Sequence, residues 1–162
     1  MVLINPLKGK GGLFIKLLFN IRVNPYQPII LINLQMDKRI LKVLKEIEDF
    51  GKDNYMFNVP RETGELLNFL VHYKKPSKIL EIGMSNGYST IWLAEAGFPV
   101  FSIEPDDEKI KLAKGNFEKA GLKNINVIKG KGLDVLPKLD EKFDFVFIDA
   151  IKDEYLDYFK LL

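Results

Sequence analysis

The sequence predicts an α/β fold: a doubly wound, mostly parallel sheet with helices on both faces. Three observations carry this. Residues 79–82, Ile-Leu-Glu-Ile, form a short apolar run closed by Gly83, the pattern of a buried parallel strand. A glycine-bounded turn from Gly83 to Gly87 follows, and then Ile91, Trp92, Ala94 and Ala96 continue at helical spacing until Gly97. Strands and helices then alternate up to Leu162.

The elements of residues 36–162 follow in order. Asp37 can cap a first helix in which Ile40, Leu41, Val43, Leu44, Ile47 and Phe50 recur at helical spacing, with Gly51 as its stop. A polar loop over 52–58 leads to Pro60, which suits the first turn of a second helix burying Leu66, Leu67, Phe69 and Leu70. These two helices precede the sheet and form a cap or an interface. The second strand is 99–103, ending in Glu104-Pro105-Asp106-Asp107. Asp106 caps the next helix, whose apolar positions are Ile110, Leu112, Ala113, Phe117 and Ala120, and Gly121 ends it. The third strand is 125–128. Gly130 to Gly132 turn into a short helix over 133–139, broken near Pro137. The fourth strand, 143–148, reads F-D-F-V-F-I and ends at Asp149, and a last helix starts near Asp153.

Residues 1–35 are different in kind. They hold Lys8, Lys10, Lys16 and Arg22 and no acid, so all 22 acidic side chains lie in 36–162. The expected division is a basic, apolar N-terminal arm, 1–35, and a ligand-binding domain, 36–162. The stretch 13–23 is too short and too interrupted to span a bilayer, and no small-residue cleavage site marks a secretory signal. Two forms suit it: a membrane-surface helix, or a pair of strands over 13–19 and 29–34 around Asn24-Pro-Tyr-Gln-Pro28. Met36 is a candidate natural start.

Composition narrows the function. A formal charge of +2 gives no electrostatic case for a nucleic-acid partner. With no cysteine there is no disulfide framework, thiolate nucleophile or zinc-thiolate site, which suits a cytoplasmic protein. The single histidine, His72, reads as a partly buried helix residue without a partner, not as a catalytic one.

The chemistry gathers at strand ends. A strand, a glycine turn and a helix in that order direct backbone N–H groups and a helix N-terminus at one point. The turn reads E-x-G-x-x-x-G, so Glu81 would repel a pyrophosphate. A cationic ligand with an amino-acid tail, such as S-adenosylmethionine, suits it better. Glu104 lies about 20 residues past the first glycine, the place from which an acid reaches a ribose diol in doubly wound folds. Asp149 ends the fourth strand.

Four segments recur together in order: I-L-E-I-G-x-x-x-G-Y-S-T, S-I-E-P-D, G-x-x-L-D-V-L-P-K-L and F-D-F-V-F-I-D-A-x-K-x-x-Y. Over roughly residues 58–162 they resemble the cation-dependent O-methyltransferases, the family of catechol and caffeoyl-coenzyme A O-methyltransferases. The resemblance implies the Rossmann-like sheet of a class I methyltransferase. It also implies an S-adenosylmethionine-dependent transfer to a hydroxyl of a small diol or phenol. By this resemblance Glu81, Gly83, Met84, Ser85, Gly87, Tyr88 and Ser89 surround the methionine part of the cofactor. Glu104 and Pro105 meet the ribose side, Gly132 and Leu133 flank the adenine, and Asp149 adjoins the cofactor. The family's matching acid binds a divalent cation, usually magnesium, and a lysine three residues on is the general base; here these are Asp149 and Lys152. A hard cation on both oxygens of a vicinal diol lowers the hydroxyl pKa.

The sequence departs from the family in two places. Lys131 stands in the turn after the third strand, where the family has an acid or small polar residues. The family's fifth strand, with an Asp-Asn pair of further metal ligands, does not follow Leu162, so the sheet is expected to be incomplete at the C-terminus. Two explanations compete: a truncated chain, or a circularly permuted one in which 13–19 pairs with 143–148. An open strand edge and an apolar first helix favour self-association as a homodimer. Alternative functions are a cofactor-binding module without catalysis, and transfer to nitrogen, for which Asn24-Pro-Tyr26 is a partial match. A dinucleotide enzyme is disfavoured by the missing third glycine.

Overall fold

The computed structural model of the protein describes three short N-terminal strands, Leu3–Ile4 (β1), Pro6–Gly9 (β2) and Gly12–Ile15 (β3), and residues 36–162 other than Tyr55 and Phe57. The sheet is built on Ile79–Ile82 (β4), with Val100–Glu104 (β5), Ile125–Lys129 (β6) and Phe145–Ile148 (β7). Its order is β1-β7-β4-β5-β6, and each neighbouring pair is parallel. β4 and β7 are buried at every residue. Alternation divides their side chains between two cores. Ile79, Phe145 and Phe147 face Lys38–Asp53 (α1), Arg61–Lys74 (α2), Tyr88–Ala94 (α3) and Asp107–Ala120 (α4). Leu80, Ile82, Val146 and Ile148 face Gly132–Val135 (α5) and Tyr155–Leu161 (α6). Burial on both faces is why these strands read as continuous apolar runs.

Local chemistry sets most helix ends. The Asp37 carboxylate accepts from the N–H of Arg39 at 2.6 Å, and that of Asp106 accepts from the N–H groups of Glu108 and Lys109 at 2.9 and 3.1 Å. Each fills an orphan donor of a first turn. Gly51 does not stop α1, which runs on to Asp53. It is buried, and a Cβ there would lie 2.9 Å from Asn58 Nδ2, so its role is close packing. Phe50 and Phe69, expected inside, are exposed. Pro60 stands just before α2 as its N-cap.

Among the described residues the permuted pairing of 13–19 with 143–148 is not formed. Within that stretch Gly12–Ile15 pairs antiparallel with β2, and β7 is joined instead by β1, Leu3 opposite Val146 and Ile4 opposite Phe147. A two-residue strand thus covers the edge expected to be open. The stretch 29–34 lies outside the described residues.

Candidate functional site

β5 lies on one side of β4 and β7 on the other, so the connections leaving their carboxyl ends diverge. A crevice at this switch point is where doubly wound sheets hold ligands. Here a cavity of about 640 Å³ opens there. Gly83, Met84, Ser85, Tyr88 and Ser89 line it from the glycine turn and α3. Glu104 and Pro105 line it from the end of β5, Gly132 from the turn after β6, and Asp149 from the end of β7. Nine of the residues singled out in the sequence therefore share one cavity.

Gly83 is essential to that meeting. Its φ is +100°, and a Cβ would lie 2.3 Å from the backbone oxygen of Asp149. Only glycine lets the two strand ends approach this closely. Gly87, with φ +85°, faces the other way: a Cβ would meet the Phe117 ring at 2.5 Å. It packs α3 on α4 and does not line the cavity.

Glu104 is 5% exposed and held on both oxygens. Oε2 accepts from the N–H of Ser85 at 2.8 Å and Oε1 from the N–H of Asp106 at 3.1 Å. A carboxylate oxygen has two lone-pair sites, so each keeps one for a ligand hydroxyl. Ser85 has φ +50°, a conformation that costs a non-glycine residue energy. Its hydrogen bond to Glu104 holds it there.

The glycine turn presents fewer free N–H groups than its sequence suggests. Those of Gly83 and Met84 donate to Ile103 O, Gly87 to Met84 O, and Tyr88 to Asn86 Oδ1. Recognition in the cavity therefore falls mainly to side chains, and Glu104, Asp149 and Glu154 against Lys109 and Lys131 give its lining a small excess of acid.

Besides Gly87, two residues expected at the cofactor, Glu81 and Leu133, and the expected general base, Lys152, lie off the cavity lining. Glu81 is fully buried beneath the cavity, accepting from Ser89 Oγ at 2.6 Å and from Thr90 Oγ1 and Ser102 Oγ at 2.5 Å. Burial raises its pKa to about 7 against the lowering effect of these hydroxyls, and the charge of Asp149 adds to the rise. Ser89 lines the cavity, so Glu81 sits one hydroxyl away. Leu133, within α5, packs against the core under that helix and does not line the cavity. Lys152 is exposed in a 3₁₀ turn and also stays off the lining, although its neighbour Ile151 belongs to it.

Among the described residues no three histidine or acidic side chains converge on a metal position. Asp149 shares the lining with Glu154, whose carboxylate accepts from Tyr158 Oη. Magnesium takes six oxygens in near-octahedral array, several of them from water, so Asp149 would supply at most part of such a shell.

Other lining residues were not evident in the sequence. Asn58 and Val59 come from the connection between α1 and α2, and Tyr158 from α6. Asn86 also lines the cavity; its Nδ2 is buried without a partner. Lys109 and Lys131 stand at the Glu104 side. Lys131 had a signal, its unusual place between two glycines, and Asn86 lies inside the glycine turn; Asn58, Val59 and Tyr158 depend on contacts far apart in the chain. His72, expected to lack a partner, meets Glu95 at 2.8 Å. Among the described residues no helix is long and apolar enough to cross a membrane.

Comparison with known proteins agrees with this geometry. A family model described as O-methyltransferase matches residues 33–162. The chain is 36% identical over 111 residues to a catechol O-methyltransferase of Niastella koreensis, covering 64% of this chain and 50% of that one. It is 32% identical to caffeoyl-CoA O-methyltransferase 1 of Arabidopsis thaliana over 75% of this chain and 51% of that one. It thus spans about half the length of these curated relatives. The crystal structure of an O-methyltransferase from Bacillus cereus in complex with SAH superposes with a TM-score of 0.69 at 32% identity, covering 80% of this chain and 62% of that one. The match over most of the chain, on a sheet whose strand ends converge as described, establishes that this chain belongs to the O-methyltransferase family.

Proposed function

We propose that the cavity binds S-adenosylmethionine and that the chain is an S-adenosylmethionine-dependent O-methyltransferase acting on a hydroxyl of a small diol or phenol. The observation that carries this is Glu104: buried at the end of β5, fixed by two backbone N–H groups, with one lone-pair site per oxygen left for a ribose diol. Related proteins support the reading, among them the Bacillus cereus enzyme in complex with SAH. Size and charge suit the ligand too: about 640 Å³ lies within the usual range for small-molecule sites, and an acidic lining favours a sulfonium and an ammonium.

When bound, the cofactor supplies an electrophilic methyl group. The residues of this chain hold and orient it. Glu104 accepts from the ribose hydroxyls, while Ser89 and Asp149 meet the amino-acid tail. Pro105 and Gly132 border the nucleoside. Lys152 is the proposed acceptor of the acceptor hydroxyl's proton, which requires its side chain to turn toward the cavity from the exposed 3₁₀ turn. No step is assigned to a metal ion. The acceptor is taken to be a small molecule and the setting cytoplasmic, with no nucleic-acid partner. Exposed Phe69 and Tyr73 on α2 are candidates for a homodimer contact.

A second reading, a cofactor-binding module without turnover, is favoured by the exposed Lys152 and the sparse metal donors. Incubation with S-adenosylmethionine and a catechol separates the two. O-methylated product, lost in Lys152→Met, supports the enzyme; cofactor binding without product, with and without magnesium, supports the module.

A further inference from the structure

Behind the cavity wall made by Met56, Asn58 and Val59, four side chains close a ring. Glu48 of α1 accepts from Tyr88 Oη at 2.7 Å and from Arg61 Nη1 at 3.1 Å. The Arg61 guanidinium lies 5.6 Å from the centre of the Trp92 ring, and Trp92 meets Tyr88 edge to face at 6.3 Å. The ring joins α1, the first residue of α2 and both turns of α3. The connection between α1 and α2 supplies the wall.

That wall also hangs directly on α1. The N–H of Met56 donates to Gly51 O at 3.1 Å, and Asn58 Nδ2 to Ile47 O at 3.4 Å. Tyr88 is itself a lining residue whose hydroxyl is turned to Glu48. The seating of α1 therefore sets two sides of the cavity, and Glu48 ties it to Tyr88 on one side and, on the other, to Arg61, two residues past Val59. Its two bonds differ from the rest of the α1 contact. Ile40, Val43, Leu44 and Ile47 bury the helix in the core without it. Removing the carboxylate would leave α1 docked but would free the Tyr88 hydroxyl and leave Arg61 on Glu65 alone, 3.1 Å from its Nε. A hydrogen bond to a charged acceptor is also stronger than one between neutral groups, and it is directional where apolar packing is not.

We propose that Glu48 is a positioning residue for the cofactor cavity: by holding Arg61 and Tyr88 together it keeps the wall made by Met56, Asn58 and Val59 in its ligand-binding place. The proposal rests on the S-adenosylmethionine reading of the cavity. It is tested by calorimetry with S-adenosylmethionine, melting without ligand, and amide exchange over 56–59, in wild type, Glu48→Ala, Glu48→Gln and Arg61→Met. Glu48→Ala is expected to bind about tenfold more weakly, a change of about 1.4 kcal/mol, with faster exchange at 56–59 and melting lowered by only a few degrees. Glu48→Gln keeps an oxygen for Tyr88 Oη and is expected to recover affinity to within about threefold of wild type. Arg61→Met leaves Glu48 on Tyr88 and tests the other arm of the ring if Glu48→Ala does not fold; about threefold weaker binding is expected. Unchanged affinity and unchanged exchange in the folded variants overturn the proposal. Equal losses in Glu48→Gln and Glu48→Ala do so as well. A wild-type protein that binds no S-adenosylmethionine overturns the cofactor reading itself.

Discussion

Glu81 shows how far a residue's chemistry depends on what surrounds it. Its place in E-x-G-x-x-x-G marks it as a ligand-facing acid, yet three hydroxyls surround it in the folded chain. Burial is the main cause of its pKa rising from 4.5 to about 7. The native state therefore binds more protons than the unfolded one between about pH 4.5 and 7, and stability falls as pH rises through that window. Glu81→Gln removes this dependence. Thermal melts from pH 4.5 to 8 should show the variant gaining on wild type as pH rises; a constant difference would contradict the burial argument. Gly83 is the opposite case, a role legible in one letter. A glycine ending a buried strand implies close backbone approach, and the Asp149 oxygen stands 2.3 Å from where a Cβ would be. Gly83→Ala should cost more than about 2 kcal/mol, through both the clash and the positive φ, measured by chemical denaturation. Glu104, Asp149 and the turn residues were likewise readable because strand ends in this architecture face one crevice. Asn58, Val59 and Tyr158 were not, since only tertiary packing brings them there.

Elements were legible where their ends are set by their own side chains. Asp37 and Asp106 cap α1 and α4 as their spacing indicates. Asp106→Ala should lower stability by about 1 kcal/mol, read from melting, and leave cofactor affinity nearly unchanged, because Glu104 uses the backbone N–H of residue 106 and not its side chain. A large affinity loss would mean that the start of α4 controls the ribose site. Gly51 was misread as a stop because its neighbour Asn58 approaches from outside the helix. The partner of β7 was misassigned for a similar reason. Pairing of β1 with β7 joins residues more than 140 positions apart, and two apolar residues carry no mark of their register.

At the scale of the molecule, the parallel sheet brings the ends of β4, β5 and β7 to one acidic cavity, and the described donors do not complete a metal shell. S-adenosylmethionine affinity should therefore be the same in magnesium and in EDTA, by calorimetry; a marked dependence would require metal ligands beyond those described. The measurement that reaches the centre of the account is S-adenosylmethionine calorimetry on wild type and Glu104→Ala. Saturable binding by wild type, weakened about tenfold or more in the folded variant, is the predicted result. Equal affinity in the two proteins, or no binding by wild type, would contradict it.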